Sequence, residues 1–295
     1  MTPATSAPRI ALFTPSYNQA AFLEEAIRSV LDQNYPALEY VVIDGGSTDG
    51  SVEIIRRYAS RLASWVSEPD CGQYDAVNKG FARTQGEIMC WLNSDDKHTP
   101  WTLSVVGELF ATFPEIEWLT TLWPLFWDDQ GRAVACGTHQ GFSREAFWRG
   151  EQLPGADWHT THWIQQESTF WRRSLWEKAG GGLDLRYSLA GDFELSARFY
   201  RHAELHAVAT PLGGFRLQAG QKTASQAEAY LAQAREAFLA HGGRPPGRCE
   251  SFLLEKLAKL RRFLERKYEK RLRFPQAQHH VVHRGREGGW HLKNP

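Results

Sequence analysis

Residues 86–97 read Gly-Glu-Ile-Met-Cys-Trp-Leu-Asn-Ser-Asp-Asp-Lys, and the fold class follows from this stretch. Its apolar run from Ile88 to Leu92 has no polar interruption, which is typical of a short strand in a sheet that is covered on both faces. The run ends abruptly at Asn93, and the adjacent carboxylates of Asp95 and Asp96 come directly after it. The pattern predicts a buried strand whose carboxyl end carries an acidic pair.

This acidic pair has two interpretations. Two adjacent carboxylates at the end of a buried strand repel each other and are costly to desolvate, so a bound cation would stabilise them. Oxygen ligands favour Mg²⁺ or Mn²⁺, and such ions usually share their coordination shell with substrate phosphates. We therefore predict a divalent metal at Asp95 and Asp96. The alternative is that Ser94, Asp95 and Asp96 cap a helix that begins near Pro100.

The stretch belongs to a longer alternation of strands and helices. Strands are predicted at 9–14, 38–43, 62–67 and 88–92, and helices at 18–32 (with Asn18 as N-cap), 51–60, 73–83 and 101–112. This alternation predicts an α/β fold with a parallel sheet and right-handed crossovers. Ligands of such sheets bind at the carboxyl ends of the strands, so Asp44 after the second strand should meet Asp95 and Asp96 in one crevice.

The second half of the chain has a different composition. Eight of the 12 tryptophans lie between Trp118 and Trp176. Most are predicted to pack in the core, and a minority would offer flat surfaces to sugar rings. Further elements are predicted as strands at 166–172 and 205–209, helices from about 190, at 226–240 and at 250–272, and a frayed polar end at 279–295.

Composition excludes several classes of protein. Lys plus Arg and Asp plus Glu both number 34, so no global charge favours nucleic acid. Four cysteines without metal-ligand spacing favour a reduced, cytosolic compartment. Residues 1–9 lack the apolar core of a signal peptide, and no apolar run reaches bilayer length. Residues 248–274, however, hold ten Lys or Arg against four Glu, above a leucine stripe.

Several motifs occur in an order that is found in one known family. They are Thr-Pro-Ser-Tyr-Asn (14–18), Val-Ile-Asp-Gly-Gly-Ser-Thr-Asp-Gly (42–50), Asp-Cys-Gly-Gln-Tyr-Asp-Ala-Val-Asn-Lys-Gly (70–80), Gly-Glu (86–87), Leu-Asn-Ser-Asp-Asp (92–96), Gln-Glu-Ser-Thr-Phe (166–170), Gly-Asp-Phe-Glu-Leu (191–195) and Phe-Arg-Leu (215–217). Residues 8–223 thereby resemble the inverting family 2 glycosyltransferases of the GT-A fold. The resemblance implies a mostly parallel sheet flanked by helices, with a nucleotide-sugar-binding half (8–116) and an acceptor-binding half (117–223). Residues 224–295 would form a C-terminal helical extension.

The resemblance also implies roles for residues that bind the donor. Tyr17, with Pro15 beside it, would lie against the nucleotide base, and Asp44 would accept a hydrogen bond from that base. Asp70 and Lys79 would hold ribose or phosphate oxygens, and Lys222 would hold phosphate.

The metal-binding motif departs from the family in two places. Asp96 would contact Mn²⁺ or Mg²⁺ directly, and Asp95 would hold the ribose or the waters of the metal. Asn93, also placed in the substrate site, stands where the commoner family pattern has Asp. Gln218 stands where the family often has a histidine that can ligate the metal. We expect weaker metal binding, or a third ligand from elsewhere.

The implied reaction is an inverting transfer from a nucleotide-diphosphate sugar to an acceptor hydroxyl, in the synthesis of a cell-surface polysaccharide or glycan. The acceptor loses a proton during attack, and Asp192 occupies the position of the general base. Glu194 is the alternative base and a candidate substrate-binding residue. The other functions considered are a glycoside hydrolase, a nucleotidyltransferase and a non-catalytic nucleotide-sugar-binding or scaffold protein.

The basic helix at 250–272 suggests where the enzyme would work. An apolar stripe beneath a basic face favours binding to an anionic membrane surface, which would bring a cytoplasmic enzyme to a lipid-linked sugar acceptor at the inner face of the membrane. The alternative is that the stripe packs on the catalytic domain, or on a second subunit of a homo-oligomer. No nucleic-acid partner is expected.

Overall fold

The structure, a computed structural model, describes residues 7–155, 163–218, 225–245, 247, 256, 280–285 and 287–293. Its strands are β1 Ile10–Ser16, β2 Leu38–Asp44, β3 Ser64–Ser67, β4 Ile88–Trp91, β5 Lys97–His98, β6 Trp118–Thr121, β7 Leu125–Trp127, β8 Ala133–Cys136, β9 Phe170–Arg172, β10 Leu205–Val208, β11 Gly213–Arg216, β12 His280–Arg284 and β13 Trp290–Lys293. Its helices are α1 Ala20–Leu31, α2 Ser51–Tyr58, α3 Gln73–Ala82, α4 Thr102–Thr112, α5 Arg144–Trp148, α6 Arg173–Lys178, α7 Gly191–Phe199 and α8 Ala227–Ala240.

The main sheet has the order β13-β12-β10-β6-β9-β4-β1-β2-β3. Strand β1 pairs in parallel with β2 and β4, and β2 with β3, which confirms the mostly parallel α/β sheet predicted from the alternation. Strand β9 lies antiparallel between β4 and β6. A second sheet, β5-β11-β7-β8, stands beyond the carboxyl end of β4 and carries residues toward the crevice there.

The sheet is covered on both faces because its central strands are apolar on both. Leu12 and Phe13 are adjacent on β1 and fully buried, yet they belong to two separate clusters, as the alternation of side chains along a strand requires. Helices α1, α2 and α4 cover the Leu12 face, and α3, α6, α7 and α8 cover the Phe13 face. The unbroken apolar strands of the sequence therefore fit a double-sided core.

A glycine inside helix α3 has a packing reason. A Cβ added at Gly80 would overlap the ring of Phe13, so only glycine lets α3 approach β1 this closely. The cost of glycine within a helix is about 1 kcal/mol relative to alanine. The burial of Val77 and Phe81 on the same helix offsets it.

Two predicted helix caps are wrong. Helix α1 begins at Ala20, and Asn18 instead has a left-handed backbone (φ 52°), with its side-chain oxygen accepting a hydrogen bond from Thr48 N at 2.9 Å. Asn18 thus joins the loop after β1 to the loop after β2. Helix α4 begins at Thr102, and its N-cap residue makes no side-chain cap. Asp95 and Asp96 precede β5, so the helix-cap interpretation of the acidic pair is also wrong.

The predicted frayed end is wrong as well. Strands β12 and β13 form an antiparallel hairpin, and β12 pairs in parallel with β10, where His206 is in register with His280. Val282 is fully buried in the cluster on the Leu12 face, and Val281 packs against the cluster on the Phe13 face, as the alternation of side chains along a strand requires. The range 224–295 therefore holds helix α8 and a hairpin that widens the sheet. The helix predicted at 250–272 lies outside the described residues, apart from residue 256.

No helix within the described ranges is both long and apolar enough to cross a membrane. The proposed boundaries at residues 116 and 223 between the two halves and the extension stay predictions. The predicted strand at 166–172 is shorter than expected: Gln166–Ser168 forms a 3₁₀ turn, and only β9 is extended.

Candidate active site

A cleft of about 630 Å³, here called the Asp95 cleft, opens at the carboxyl ends of β1, β2 and β4. Its lining includes most of the residues predicted to bind the donor: Pro15, Tyr17, Asp70, Asn93, Asp95 and Asp96, together with Gly45, Phe215 and Gln218. The sheet topology brings these distant segments together because parallel neighbours end at the same edge.

The acidic pair is held by residues of strand β11 and just beyond it. Asp96 is 1% exposed, and its two carboxylate oxygens accept hydrogen bonds from Arg216 N at 2.8 Å and Asn93 Nδ2 at 3.1 Å. Asp95 is partly exposed, and its Oδ2 accepts a hydrogen bond from Gln218 Nε2 at 2.7 Å. Gln218 therefore occupies, as an amide, the position next to Asp95 that a histidine ligand would take.

The electrostatics of the pair favour a cation. Burial, followed by the charges of Glu167 and Asp95, raises the pKa of Asp96 well above its usual range. Within the described ranges, no three His, Cys, Asp or Glu side chains are grouped as a metal site. Two carboxylates are enough for Mg²⁺ or Mn²⁺ when substrate phosphates complete the shell. The residues present therefore fit a divalent ion that arrives with a diphosphate.

Arg216 holds the acidic pair in place, a role that was not predicted from the sequence. Its guanidinium is fully buried, donates to Glu25 Oε2 at 2.6 Å, and also contacts the backbone oxygens of Asp95, Asp128 and Asp129. The motif Phe-Arg-Leu was the only signal in the sequence. No local pattern connects its arginine to Glu25 on α1.

Asp44 is not among the residues that line the cleft, although Gly45 next to it is, so its convergence with Asp95 and Asp96 stays a prediction. The carboxylate is fully buried and accepts hydrogen bonds from Gly46 N, Ser47 N, Ser47 Oγ and Ser67 Oγ at 2.5–3.1 Å. Its oxygens shape the 44–47 loop, as expected for an Asx-type turn. Its hydrogen bond to the nucleotide base stays a prediction, and it would have to compete with these four donors.

The predicted base platform and ribose ligand do face the cleft. Tyr17 is 61% exposed on its rim, an unusual position for a large aromatic side chain. The carboxylate of Asp70 accepts a hydrogen bond from Gly72 N at 2.8 Å, and a Cβ at Gly45 would come within 2.9 Å of its Oδ2. Glycine at position 45 therefore leaves the room in which Asp70 lies.

Two lysines were predicted to bind ribose or phosphate. Lys79 does not line the cleft, and its ammonium is 3.0 Å from Asp75 Oδ2 one helical turn earlier. The ion pair engages Lys79 within α3, so its contact with ribose or phosphate stays a prediction that the geometry does not favour. Lys222 lies outside the described residues, so its role stays a prediction.

A second space adjoins the cleft and is here called the aromatic cavity. It measures about 330 Å³ and shares Gln73, Asn93 and Phe215 with the Asp95 cleft. Its other lining residues include ten aromatic side chains: Tyr74, Trp91, Trp118, Phe126, Phe147, Trp163, Trp171, Phe193, Phe199 and Tyr230. Most tryptophans of the second half are core residues, as predicted, and Trp163 is 40% exposed at this cavity.

Asp192 lines the aromatic cavity at the first turn of α7. Its Oδ1 is 3.4 Å from the hydroxyl of Tyr74, which also donates to Leu189 O at 3.0 Å. Burial raises the pKa of Asp192 above the usual range of an aspartate. A carboxylate with a raised pKa, held beside a cavity, is suited to accept a proton.

Glu194 belongs to a different face of the same helix. Its oxygens pair with Arg198 Nη2 at 2.8 Å and His241 Nε2 at 2.8 Å, and it lines neither space. Burial would raise the pKa of Glu194, but the hydrogen bonds from His241 and Arg198 lower it below its usual value. These contacts fix α7 to the end of α8, so a role of Glu194 in substrate binding or as the base stays a prediction that the geometry does not favour.

Glu167 is the residue that sequence reasoning missed. Glu167 lies in the motif at 166–170, but the sequence predicted no role for it. The structure shows that it lines the aromatic cavity and is 4% exposed. Burial, followed by the charges of Asp192 and Asp95, raises its pKa to about 8. A buried carboxyl group beside a candidate base marks a functional position.

These observations define an α/β fold of the GT-A type. The chain of TarS 1–349 from S. aureus superposes with a TM-score of 0.58 at 14% identity, over 90% of this chain and 76% of that 1–349 chain. The mannosyltransferase PcManGT from Pyrobaculum calidifontis, in complex with GDP-Man and Mn²⁺, superposes with a TM-score of 0.58 at 20% identity, over 92% of this chain and 78% of that one.

Sequence comparison identifies the family. The model described as glycosyl transferase family 2 matches residues 11–123. An uncharacterized glycosyltransferase of Mycobacterium tuberculosis is 32% identical over 198 residues, which cover 66% of this chain and 70% of the relative. The putative teichuronic acid biosynthesis glycosyltransferase TuaG of Bacillus subtilis is 38% identical over 93 residues, 30% of this chain and 37% of TuaG. The chain belongs to glycosyl transferase family 2 and is a glycosyltransferase, which confirms the resemblance and sets aside the other functions considered.

Proposed function

We propose that the protein transfers a sugar from a nucleotide-diphosphate sugar to an acceptor hydroxyl with inversion at the anomeric carbon, and that Asp192 is the general base. The observation that carries the proposal is the position of Asp192 in a cavity that shares Asn93, Gln73 and Phe215 with the Asp95 cleft. A donor in the cleft and an acceptor in the cavity would therefore meet at a shared wall.

The bond changes follow from this arrangement. The acceptor oxygen forms a bond to the anomeric carbon, and the bond from that carbon to the diphosphate oxygen breaks. The proton of the acceptor hydroxyl passes to the carboxylate of Asp192, whose raised pKa makes it a stronger base than an ordinary aspartate. Tyr74 holds one carboxylate oxygen and so fixes the direction in which the other points.

Asp95 and Asp96 would hold a divalent ion together with the donor diphosphate. When bound, Mg²⁺ or Mn²⁺ would supply Lewis-acid stabilisation of the charge on the departing diphosphate. Asp96 is fixed by Arg216 N and Asn93 Nδ2, and Asp95 is the more exposed of the two. We keep the roles that the resemblance implies: Asp96 would contact the ion directly, and Asp95 would hold the ribose or the waters of the metal.

The rest of the donor would occupy the cleft wall. We propose that the base lies on Tyr17 near Pro15 and that the ribose approaches Asp70, since these three line the same cleft. TarS has been crystallised with UDP-GlcNAc and with UDP, and PcManGT with GDP-Man and Mn²⁺. A nucleotide-diphosphate sugar and a divalent ion are the ligands that we propose here by analogy.

The biological setting is proposed from a relative and from the sequence. The name of TuaG supports a role in the synthesis of a cell-surface polysaccharide. The cytoplasmic location, the contact of 250–272 with an anionic membrane and a lipid-linked acceptor, and self-association stay predictions of the sequence.

Donor turnover tests the proposal directly. The parent is incubated with UDP-glucose, UDP-galactose, UDP-GlcNAc and GDP-mannose in Mn²⁺ or Mg²⁺, with p-nitrophenyl glycosides as acceptors, and release of nucleoside diphosphate is measured. We expect one donor to be consumed, with loss of activity in EDTA and in Asp96→Ala. Undiminished turnover in EDTA would contradict the metal assignment, and consumption of no donor would contradict the proposed reaction.

A further inference from the structure

The segment that carries Glu167 is fixed on several sides. His98 Nε2 lies 3.1 Å from Glu167 O, Gln166 Nε2 donates to Trp91 O at 2.7 Å, and Gly213 N donates to Ser168 Oγ at 3.0 Å. A Cβ at Gly213 would lie 2.6 Å from Glu167 O, so glycine permits this close approach. The main chain at Glu167 is therefore rigid, and its side chain is presented in one direction.

The carboxyl group of Glu167 is buried beside the aromatic cavity. Glu167 lines the cavity with Asp192, and its Oε1 has no hydrogen-bond partner in the part of the chain that the structure describes. An unpaired buried carboxyl oxygen destabilises the fold, so proteins rarely retain one without a reason. A ligand that donates a hydrogen bond in the cavity would supply the missing partner.

The walls of the cavity indicate what kind of ligand fits. Indole and phenyl faces suit the apolar face of a sugar ring, while the ring hydroxyls need polar partners at the edges. Trp163, which is 40% exposed at this cavity, supplies such a face, and Glu167 and Asp192 are the carboxyl groups among the described lining residues. In the proposed mechanism Asp192 accepts the proton of the reacting hydroxyl, so Glu167 is available to bind another hydroxyl.

We infer that Glu167 binds a hydroxyl group of a sugar substrate and so determines which sugar the enzyme accepts. This inference rests on the proposed transfer reaction and names a specificity residue for it. The hydroxyl belongs either to the donor sugar at the shared wall or to the acceptor sugar within the cavity. Both sources have the same chemistry, a neutral hydroxyl that donates to a carboxyl oxygen.

The test compares Glu167→Ala and Glu167→Gln with the parent. The first measurement is binding in Mn²⁺, monitored by quenching of tryptophan fluorescence, for UDP and GDP alone and for UDP-glucose, UDP-galactose, UDP-GlcNAc and GDP-mannose. The second is binding of p-nitrophenyl glucoside, galactoside, mannoside and N-acetylglucosaminide. Neither measurement needs turnover, so failure of the proposed reaction would leave this test intact.

If the hydroxyl belongs to the donor, Glu167→Ala should weaken the preferred nucleotide sugar about 10–100-fold and leave the matching nucleoside diphosphate within about twofold. If it belongs to the acceptor, the same loss should appear for an aryl glycoside, with donor binding unchanged. In either case Glu167→Ala should discriminate less strongly between epimeric sugars than the parent does. Glu167→Gln should stay within about fivefold of the parent, because an amide oxygen still accepts the hydrogen bond.

Glu117→Gln is the matched control. Glu117 also has a buried carboxylate oxygen without a partner among the described residues, but it lines neither space and pairs with Lys178 at 3.1 Å. This variant should bind every probe as the parent does. Equal weakening of nucleotide and nucleotide sugar by Glu167→Ala would overturn the inference, since it would indicate a general structural effect. Unchanged binding in Glu167→Ala, or no sugar bound by the parent, would also overturn it.

Discussion

Replacing Asp192 by asparagine removes the basic oxygen and preserves the shape of the side chain. The introduced amide would keep an oxygen facing the hydroxyl of Tyr74, a contact that is already long at 3.4 Å in the parent. The position in the first turn of α7 is unchanged, and the amide fills the same part of the aromatic cavity. The fold and the Asp95 cleft should therefore be unaffected. The variant should transfer sugar more slowly because it cannot accept the proton.

The expected rate loss is roughly 10²–10⁴-fold, the usual contribution of a positioned acid or base. This corresponds to about 2.7–5.5 kcal/mol in the activation free energy. The loss should appear in kcat, and the KM for the nucleotide sugar should stay near the parental value because Asp192 does not line the Asp95 cleft.

The effect of the same variant on stability depends on pH. Burial raises the pKa of Asp192 in the folded protein above that of the unfolded chain. Folding therefore favours the protonated form of Asp192. The stability that this form contributes to the parent is fully present below the unfolded pKa of about 3.9, and it is lost as pH rises through the folded pKa. Asparagine does not titrate, so the stability of Asp192→Asn relative to the parent should increase from pH 4 to pH 7.5.

Three measurements test this reasoning: donor turnover, urea unfolding at pH 4 and pH 7.5, and calorimetric titration with donor and Mn²⁺. Glu194→Gln is the companion variant, because Glu194 lies on the same helix but away from the cavity. If Asp192→Asn transfers sugar at near-parental rate, the assignment of the base is wrong. If Glu194→Gln alone loses the chemical step while still folded, the base is Glu194.

Three further predictions concern stability and the tail. Glu194→Gln should lower the free energy of unfolding by about 3 kcal/mol at pH 7, because it removes the charge that pairs with Arg198 and His241. The difference from the parent should shrink as pH falls through the lowered pKa of Glu194, and urea titrations at several pH values would measure it. Gly80→Val should lower the free energy of unfolding by about 1–3 kcal/mol or more, because the valine side chain would overlap Phe13. Gly247→Ala is the control: no heavy atom lies within 4 Å of the added Cβ, so this variant should unfold at the same urea concentration as the parent. If 250–272 binds an anionic membrane, sedimentation with phosphatidylserine vesicles should depend on salt and disappear on truncation at Gly247; equal binding after truncation would contradict the membrane prediction.

Sequence reasoning located the cleft because its signals are local. The apolar run of β4 ends shortly before Asp95 and Asp96, and a strand of a parallel sheet presents the loop at its carboxyl end to the ligand-binding edge. Asp192 was placed by family resemblance, and the structure brings it to the cavity. The sequence was less informative about Asp44 and Lys79, which carry suitable charges, because only the fold shows that nearby groups already engage them.

The sequence by itself determined the alternation of strands and helices, the acidic pair and the family, since each depends on residues that are close along the chain. The tertiary structure alone decided which polar groups remain available for a substrate. Arg216 reaches Glu25 across 191 positions of sequence, and Glu167 lines the same cavity as Asp192 from another segment, arrangements that no local pattern encodes. The hairpin β12–β13 likewise adds to the sheet through β10, because an edge strand is defined by its neighbour in space and not by its own composition.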